Sequence, residues 1–452
     1  MNLHMGIRWH DIGWPQQPMR TAPVSASLLL GASAWVTLNP YFFWGQPLAL
    51  LIAALAAVLA GTIAFFSGNF SKPSKLELLG IALLTAFVIY ITVQSRLDGG
   101  HTKWIFVLPT LWSLAFFPVS LRKQCLEIFA WIFAASVVPG LLASWWLAAG
   151  MPMQFNLIPA ANSKMSAWIL QLPGILFTES NQVVLPWGGV LFRLNGVYDE
   201  PGTVGTISGL LLAAFGFRLN QWRNALIFTA GIMSFSLAFV VLVSIGLICR
   251  GLFTRKLWPL AALLPLLLST SLSLGVLNLG APVGVKTVVA IKTPDTGVGV
   301  TTISPEILAP SSVHDIVSSG QQLRQTEYVN NRTLPEMKAL LTEYWRSDIG
   351  TILFGMGSDA SVVRGGVSQV WTRHLTNHGI VGCGLLVVGC IAVAFALWRT
   401  SGYSPLVALF FLLFALSFYQ RPVIWMPYAL LILLCGPYAA IEGQGKKEKE
   451  ES

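Results

Sequence analysis

The sequence predicts an all-α polytopic membrane protein with about 12 transmembrane helices and two large loops on its outer face. Hydrophobic residues make up 54% of the 452 positions and charged residues only 10%, a composition far from that of soluble domains. Apolar runs long enough to cross a bilayer also recur along the whole chain. We therefore interpret residues 1–452 as a single integral membrane domain.

Short basic connections alternate with uncharged ones in the first half of the chain. Lysine or arginine pairs mark every second connection, for example Lys72 with Lys75 and Arg122 with Lys123. By the positive-inside rule the N-terminus is cytoplasmic and residues 150–202 form the first large outer loop. The predicted spans of this half are 24–39, 47–67, 77–94, 104–120, 125–149 and 203–218.

The run Ala225 to Cys249 has the length of one span, yet basic residues flank it on both sides. A polar turning point at Ser234 to Ser236 favours two short helices that form a hairpin and return to the cytoplasm. With a single span instead, the C-terminal tail 441–452 would lie outside. With the hairpin, that tail and both termini are cytoplasmic. The segments after the hairpin are then a span at 257–277, the second large outer loop at 278–366, and spans near 379–398, 404–419 and 423–440.

The second large loop contains one predicted amphipathic helix, near residues 333–346. Thr333 and Glu336 have the capping-box spacing, with a proline in the first turn. Apolar residues recur at helical spacing, namely Leu334, Met337, Leu341 and the pair Tyr344/Trp345. Val285 to Ser312 shows no helical period and is predicted to be extended or irregular.

The positions of the charges exclude several classes of protein. The predicted spans hold almost no ionisable group apart from Glu77 and Glu127 near their cytoplasmic ends, which argues against an ion-coupled transporter. The net charge of +9 is spread over short loops, so it sets membrane topology and does not indicate nucleic-acid binding. The five cysteines lie in or beside apolar runs, and they form no disulfide framework.

Leu191 to Gly205 is the stretch that most resembles a functional site. It places Arg193, Asp199 and Glu200 directly before an apolar run on the outer face. Guanidinium groups bind phosphate oxygens in a bidentate fork, so an outer site with several arginines suits a lipid-linked pyrophosphate. The alternative for about half of these arginines is contact with ordinary lipid phosphates or with loop carbonyls. The further arginines considered for this site are Arg364, Arg373 and Arg421.

His374 and His378 have the spacing of two metal ligands on a helix. Leu375 stands where the HExxH motif needs glutamate, and no third ligand is evident, so we predict no metal site. One histidine acting as a general base, or both simply packing, are the alternatives. Gly355 and Gly357 lack a following P-loop lysine, which favours tight turns over a phosphate loop.

Three stretches resemble a known family. They are Arg193 to Gly202, which reads RLNGVYDEPG, then LFGMG at 353–357, and Ser368-Gln369 separated by nine residues from Gly379 to Gly382. Their order and spacing resemble the O-antigen polymerase and O-antigen ligase superfamily of bacterial membrane glycosyltransferases. The resemblance implies a GT-C-like bundle in the bacterial inner membrane with its active site and both large loops in the periplasm.

Two departures from the family pattern bear on the reaction. Ligases of the superfamily have histidine where this chain has Ser368, and many members have arginine where it has Leu237, after Ser234-Phe-Ser236. Both departures favour a polymerase over a ligase that moves the polymer to lipid A-core or to a protein. A lipid or polysaccharide transporter is the third hypothesis.

The resemblance also implies roles for individual residues. Arg193 would bind the pyrophosphate of an undecaprenyl-pyrophosphate-linked oligosaccharide, and Glu200 or Asp199 would position Arg193 or deprotonate the attacking hydroxyl. His374 is the rival base. The remaining substrate-binding residues would be Tyr198, Arg364, Ser368, Arg373 and Arg421. We expect no cofactor, metal or nucleotide, and the implied partners are the bilayer, a chain-length regulator and a flippase.

Overall fold

A computed structural model describes most of the chain. The described residues are 24–44, 48–100, 102–151, 153–159, 168–172, 174–177, 182–184, 190–254, 262–266, 289–292, 335–363, 370–418 and 425–450. Arg364, Ser368 and Arg421 lie outside the described residues, as does most of the predicted span 257–277.

Helices dominate the described part of the chain. They are α1 Val24–Val36, α2 Leu48–Phe66, α3 Lys75–Leu97, α4 Leu108–Phe116, α5 Val119–Ala148, α6 Pro201–Ala214, α7 Trp222–Met233, α8 Leu237–Thr254, α9 Pro335–Arg346, α10 Ile349–Phe354, α11 Ala360–Val363, α12 Val370–Thr400, α13 Pro405–Ser417 and α14 Pro427–Glu450. Short 3-10 helices cover Tyr41–Phe43 and Lys103–Val107.

Four of these helices are long and apolar enough to cross a membrane. They are Leu48–Phe66, Lys75–Leu97, Val119–Ala148 and Trp371–Thr400, and six shorter apolar helices of 10–17 residues accompany them in the described part of the chain. This is consistent with the predicted helical membrane protein. About 12 spans and a GT-C-like bundle stay predictions.

The expectation of an all-α fold is wrong in the two large loops. Strands β1 Met153–Pro159, β2 Trp168–Leu172, β3 Ile175–Phe177 and β6 Val289–Lys292 form one sheet in the order β3-β2-β1-β6, and β4 Gln182–Val184 pairs with β5 Val190–Phe192. β1 is antiparallel to β2 and parallel to β6, with Met153 opposite Val289. One sheet therefore joins the first large loop to the second.

Apolar side chains explain why these strands form. Phe155, Ile175, Phe177 and Phe192 are buried in one cluster with residues of the last turns of α5. Burial of such aromatic area is worth a few kcal/mol per side chain, at about 25 cal/mol per Å². The sheet is therefore fixed against the C-terminal end of α5.

The helices define two ends of the bundle. α3 and α12 run antiparallel, because Gly80 packs against Val393 at one end while Gln94 bonds to His378 at the other. We call these the Glu77 end and the loop end. α5 runs from Arg122, which bonds to Glu77, to the sheet, so the sheet lies at the loop end.

The predicted hairpin at Ser234 to Ser236 is present. α7 ends at Met233, Phe235 has a φ of 46°, and α8 begins at Leu237. Gly205 near the start of α6 packs against Ser234 and Ser236, whereas Phe217 beyond its end packs against Gly246. α8 therefore runs parallel to α6 and reverses the direction of α7.

The amphipathic helix of the second loop is confirmed as α9, Pro335–Arg346. Met337, Leu340 and Tyr344 are buried, while Trp345 is 53% exposed. The buried stripe thus includes Leu340, which the predicted stripe did not. At the other end of the chain, α14 continues to Glu450, so most of the predicted tail 441–452 extends a helix.

Candidate functional site

The loop from Arg193 to Glu200 enters α6 through a proline turn. Glu200 is the N-cap with extended backbone angles, and Pro201 follows in the first turn, where its missing N–H costs nothing. Backbone bonds hold the loop on three sides, from Leu194 N to Met233 O at 2.8 Å, from Leu176 N to Gly196 O at 2.8 Å, and from Tyr41 N to Val197 O at 2.9 Å. The loop is therefore fixed between the hairpin, the sheet and the end of α1.

Arg193 is held by the turn of the hairpin. Its Nε donates to Ser234 O at 3.1 Å and its Nη2 to Phe235 O at 3.2 Å. These carbonyls lie just after α7, at the helix end that carries partial negative charge and lacks intrahelical donors. Because they accept from one edge of the half-buried guanidinium, the hairpin fixes where this cation lies.

Two carboxylates, those of Asp199 and Glu200, lie at the head of α6, at the end of the loop that Arg193 begins. Asp199 Oδ1 accepts a hydrogen bond from Thr203 Oγ1 at 3.3 Å, and Asn195 Nδ2 donates to Asp199 O at 3.4 Å. Asp199 and Glu200 are half-buried, and the positive end of the α6 dipole stabilises their charge.

Tyr198 lies on the inner side of the same loop. It is fully buried, its ring stacks on Phe133 with centroids 5.7 Å apart, and its hydroxyl bonds to Trp35 Nε1 and Ser136 Oγ, both at 2.8 Å. Burial raises the pKa of the Tyr198 hydroxyl. In the structure this residue supports the loop from α1 and α5, whereas its predicted contact with substrate stays a prediction.

His374 and His378 form a buried aromatic cluster with Trp425 and Phe87. The His374 ring lies 4.5 Å from the Trp425 ring and 5.9 Å from the His378 ring, centroid to centroid. Neither ring nitrogen of His374 has a hydrogen-bond partner among the residues that the structure describes. Buried polar groups nearly always have a partner, so His374 fits a site that a ligand completes.

The two histidines are not equivalent. His378 Nδ1 lies 2.6 Å from Gln94 Oε1 at the C-terminal end of α3. Sequence reasoning missed Gln94, because a glutamine near the end of an apolar span carries no local signal of a partner 284 positions away. In the described segments no group of three or more His, Cys, Asp or Glu residues could hold a metal ion.

Two of the glycine stretches meet directly. Gly355 and Gly379 have φ of 89° and 66°, a region that favours glycine. A Cβ on Gly355 would lie 2.1 Å from Asn377 O, and one on Gly379 would lie 2.4 Å from Leu353 O. The tight turn predicted at Gly355 and Gly357 is thus confirmed, with a φ of 112° at Gly357. The contact of Gly355 with the Gly379 segment interrupts α12 just after His378.

Contacts at the loop end connect the two halves of the candidate site. Trp425, which packs on His374, lies just before Tyr428, whose N–H bonds to Thr37 Oγ1 at 3.3 Å. The nearby Tyr41 bonds to Val197 in the Arg193 loop. Arg373 is half-buried on the same helix as His374. No contact between described residues joins Arg193 to His374 directly, although both lie at the loop end.

Comparison with known proteins gives no relative for this chain. It matches no protein-family model, no curated protein and no solved structure. A fixed guanidinium, two carboxylates at a helix N-terminus and two histidines at one end of an apolar bundle suit an anionic, membrane-borne substrate with a group that must lose a proton.

Proposed function

We propose that the protein is a membrane glycosyltransferase that polymerises undecaprenyl-pyrophosphate-linked oligosaccharides at the periplasmic face of the bacterial inner membrane. Its product would be O-antigen or a related surface polysaccharide, made within a GT-C-like bundle. The observation that carries the proposal is the Arg193 guanidinium, held by the hairpin turn at the head of α6. The resemblance of RLNGVYDEPG, LFGMG and the Gly379 stretch to the superfamily supports the same reaction.

The charges of these residues suggest a different role for each of them. Arg193 and the N-terminal end of α6 attract an anion, so the pyrophosphate of the donor would lie there and gain stabilisation as it leaves. Asp199 and Glu200 carry the same sign as the pyrophosphate, so they would orient Arg193 and sugar hydroxyls. Arg373 would add a second cation from α12.

The distribution of basic residues supports a periplasmic site. The Glu77 end carries Arg122, Arg218, Arg223, Arg250 and Arg399 on the helix ends that the antiparallel packing places together. Positive residues mark the cytoplasmic side of membrane proteins. The loop end with Arg193 would therefore face the periplasm, where lipid-linked repeat units are polymerised.

A transfer assay with purified protein tests the proposal. Lipid-linked repeat units are incubated with the wild type, Arg193→Ala and Arg218→Ala, and chain elongation is followed by gel electrophoresis. Arg218 is a matched control, since it also bonds to two backbone carbonyls, Phe215 O and Ala439 O, but at the Glu77 end. We expect Arg193→Ala to lower the rate by roughly 100-fold or more and Arg218→Ala to leave it unchanged.

The outcomes separate function from site. A wild type that elongates nothing would overturn the glycosyltransferase proposal, whereas full activity of Arg193→Ala would overturn only the proposed site.

Deletion of the gene distinguishes a polymerase from a ligase. Loss of long chains with a single repeat unit on the lipid core indicates a polymerase, and accumulation of long carrier-linked polymer indicates a ligase.

A further inference from the structure

We propose that His378 accepts the proton of the attacking sugar hydroxyl and that Gln94 is the positioning residue which holds its ring for this step. The inference rests on the proposed function. It assigns the proton-accepting role to a residue other than Glu200, Asp199 or His374. Its basis is the hydrogen-bond pattern around the Gln94 amide.

The orientation of the Gln94 amide is determined by its neighbours. Its nitrogen Nε2 lies 2.9 Å from Phe354 O and 2.7 Å from Asn377 O. Both are carbonyl oxygens and can only accept, so the group facing them must be the NH₂ of the amide. The amide oxygen Oε1 must then be the atom that faces His378.

This orientation fixes the tautomer of His378. An amide oxygen can only accept, so His378 Nδ1, 2.6 Å away, must carry a hydrogen. In the neutral ring the other nitrogen, Nε2, then carries the lone pair. No described residue forms a hydrogen bond with Nε2. A partner on Nδ1 that leaves Nε2 basic is the arrangement by which a carboxylate orients a catalytic histidine.

The His378 ring is buried, which favours its neutral form at rest. Asp98, the residue that caps α3 one turn beyond Gln94, carries the charge opposite to that of an imidazolium, whereas Arg373, on the same helix as His378, carries the same charge. Tyr90 donates to the backbone carbonyl of His378 at 3.0 Å and so fixes the main chain.

His374 fits this role less well. No described residue orients its ring nitrogens, so neither tautomer is selected. Asp199 already accepts a hydrogen bond from Thr203. Of these candidates, only His378 has a side-chain partner that both fixes the ring and selects the tautomer. His374, stacked on it, would contact the substrate instead.

The step conserves atoms and charge. The hydroxyl oxygen of the acceptor sugar forms a bond to the anomeric carbon of the donor, and its proton moves to His378 Nε2. The bond from the anomeric carbon to the pyrophosphate oxygen breaks, and the electron pair leaves with the lipid pyrophosphate near Arg193. His378 becomes an imidazolium whose Nδ1–H still donates to Gln94, and it later releases its proton to water.

A pair of substitutions separates the proposed role from a structural one. In His378→Asn the amide nitrogen takes the place of Nδ1–H and keeps the bond to Gln94, but no atom replaces Nε2. We expect transfer to fall roughly 100-fold or more with an unchanged melting temperature. Gln94→Leu should also slow transfer, whereas the matched Gln124→Leu, whose glutamine bonds to Ser27 at the Glu77 end, should not. Wild-type transfer by a folded His378→Asn would overturn the proposal.

A spectroscopic measurement covers the case in which the variants do not fold. Nitrogen-15 NMR of histidine-labelled wild type distinguishes the two neutral tautomers, and replacing the other histidines one at a time assigns the remaining signal to His378; these are His4, His10, His101, His314 and His374. We expect hydrogen on Nδ1, and hydrogen on Nε2 would overturn the proposal. A wild type without transfer activity would defeat the proposed function and the role of His378 with it, while the tautomer would still show whether Gln94 orients the ring.

Discussion

Two arginines have similar hydrogen-bond partners but different surroundings. Arg122 is 3% exposed and donates to Glu77 Oε1 at 2.7 Å and to the carbonyls of Phe117 and Ala115. Arg193 also donates to two carbonyls, yet it is half-buried and lies near the head of α6. Accessibility and the helix N-terminus, rather than the hydrogen bonds alone, are the reasons for which we propose a substrate contact for Arg193 and not for Arg122.

The same reasoning gives a prediction for Tyr198. Tyr198→Phe removes the hydroxyl that accepts from Trp35 Nε1 and leaves a buried donor unsatisfied. We expect a loss of about 1–3 kcal/mol in the free energy of unfolding, measured by thermal unfolding in detergent, with transfer per folded molecule retained. The exposed Tyr403 is the control, and Tyr403→Phe should change stability by less than about 0.5 kcal/mol. Lost transfer without lost stability would instead support the predicted substrate contact.

At the scale of elements, the end of α3 brings the glycine turn and the histidine helix together. Tyr90 and Gln94 both donate to Phe354 O, and Asp98 accepts from Ser358 N at 2.6 Å. Asn377 donates to Ser358 O at 2.6 Å and so joins the same group. The last turns of α3 and its capping residue Asp98 therefore hold the Gly355 turn against His378.

The close packing of Gly355 against Asn377 leads to a prediction for the variant Gly355→Ala. Gly355→Ala places a methyl group against Asn377 O in a left-handed backbone conformation, so we expect destabilisation of about 2–5 kcal/mol and loss of transfer. Gly384 lies on the same long helix, α12, with open space around it. Gly384→Ala should leave the melting temperature unchanged or slightly raised. Equal behaviour of the two variants would show that the junction does not constrain the site.

Local patterns in the sequence were enough to place the helices but not their partners. The apolar runs predicted a span over 47–67, and the structure has α2 at Leu48–Phe66. The two ranges agree because the hydropathy of each residue reflects its own preference for lipid over water. The polar Ser234 to Ser236 likewise predicted the hairpin. The pairing of β1 with β6 was missed, since more than a hundred residues separate the two strands. The bonds from Arg193 to the hairpin and from His378 to Gln94 were missed for the same reason.

The whole molecule has two chemically different ends. The Glu77 end contains a buried ion pair and most of the structural arginines, and the loop end contains the sheet, the Arg193 loop and the histidines. Both large loops contribute to one sheet, so they lie on the same side of the bundle. A single face for the proposed chemistry follows from this arrangement.

The proposed membrane topology can be tested with one labelled residue from the loop end and one from the Glu77 end of the bundle. Single cysteines are introduced in a cysteine-free background at Glu343 on α9 and at Arg399 at the end of α12, both exposed. If the loop end faces the periplasm, as proposed, a membrane-impermeant maleimide should label Glu343→Cys in intact spheroplasts and Arg399→Cys only after permeabilisation. A reporter fused after Thr254 should likewise be cytoplasmic. The opposite labelling pattern would refute the proposed orientation.

Binding of undecaprenyl pyrophosphate tests the central claim most directly, since it requires no knowledge of the repeat-unit sugars. Native mass spectrometry of the detergent-solubilised protein would compare the wild type with Arg193→Ala and Arg218→Ala. We predict that Arg193→Ala weakens binding by about 10-fold or more, the loss of a charge-assisted contact worth about 1.5–3 kcal/mol, and that Arg218→Ala binds like the wild type. Equal affinity of all three proteins would contradict the assignment of the pyrophosphate to the head of α6.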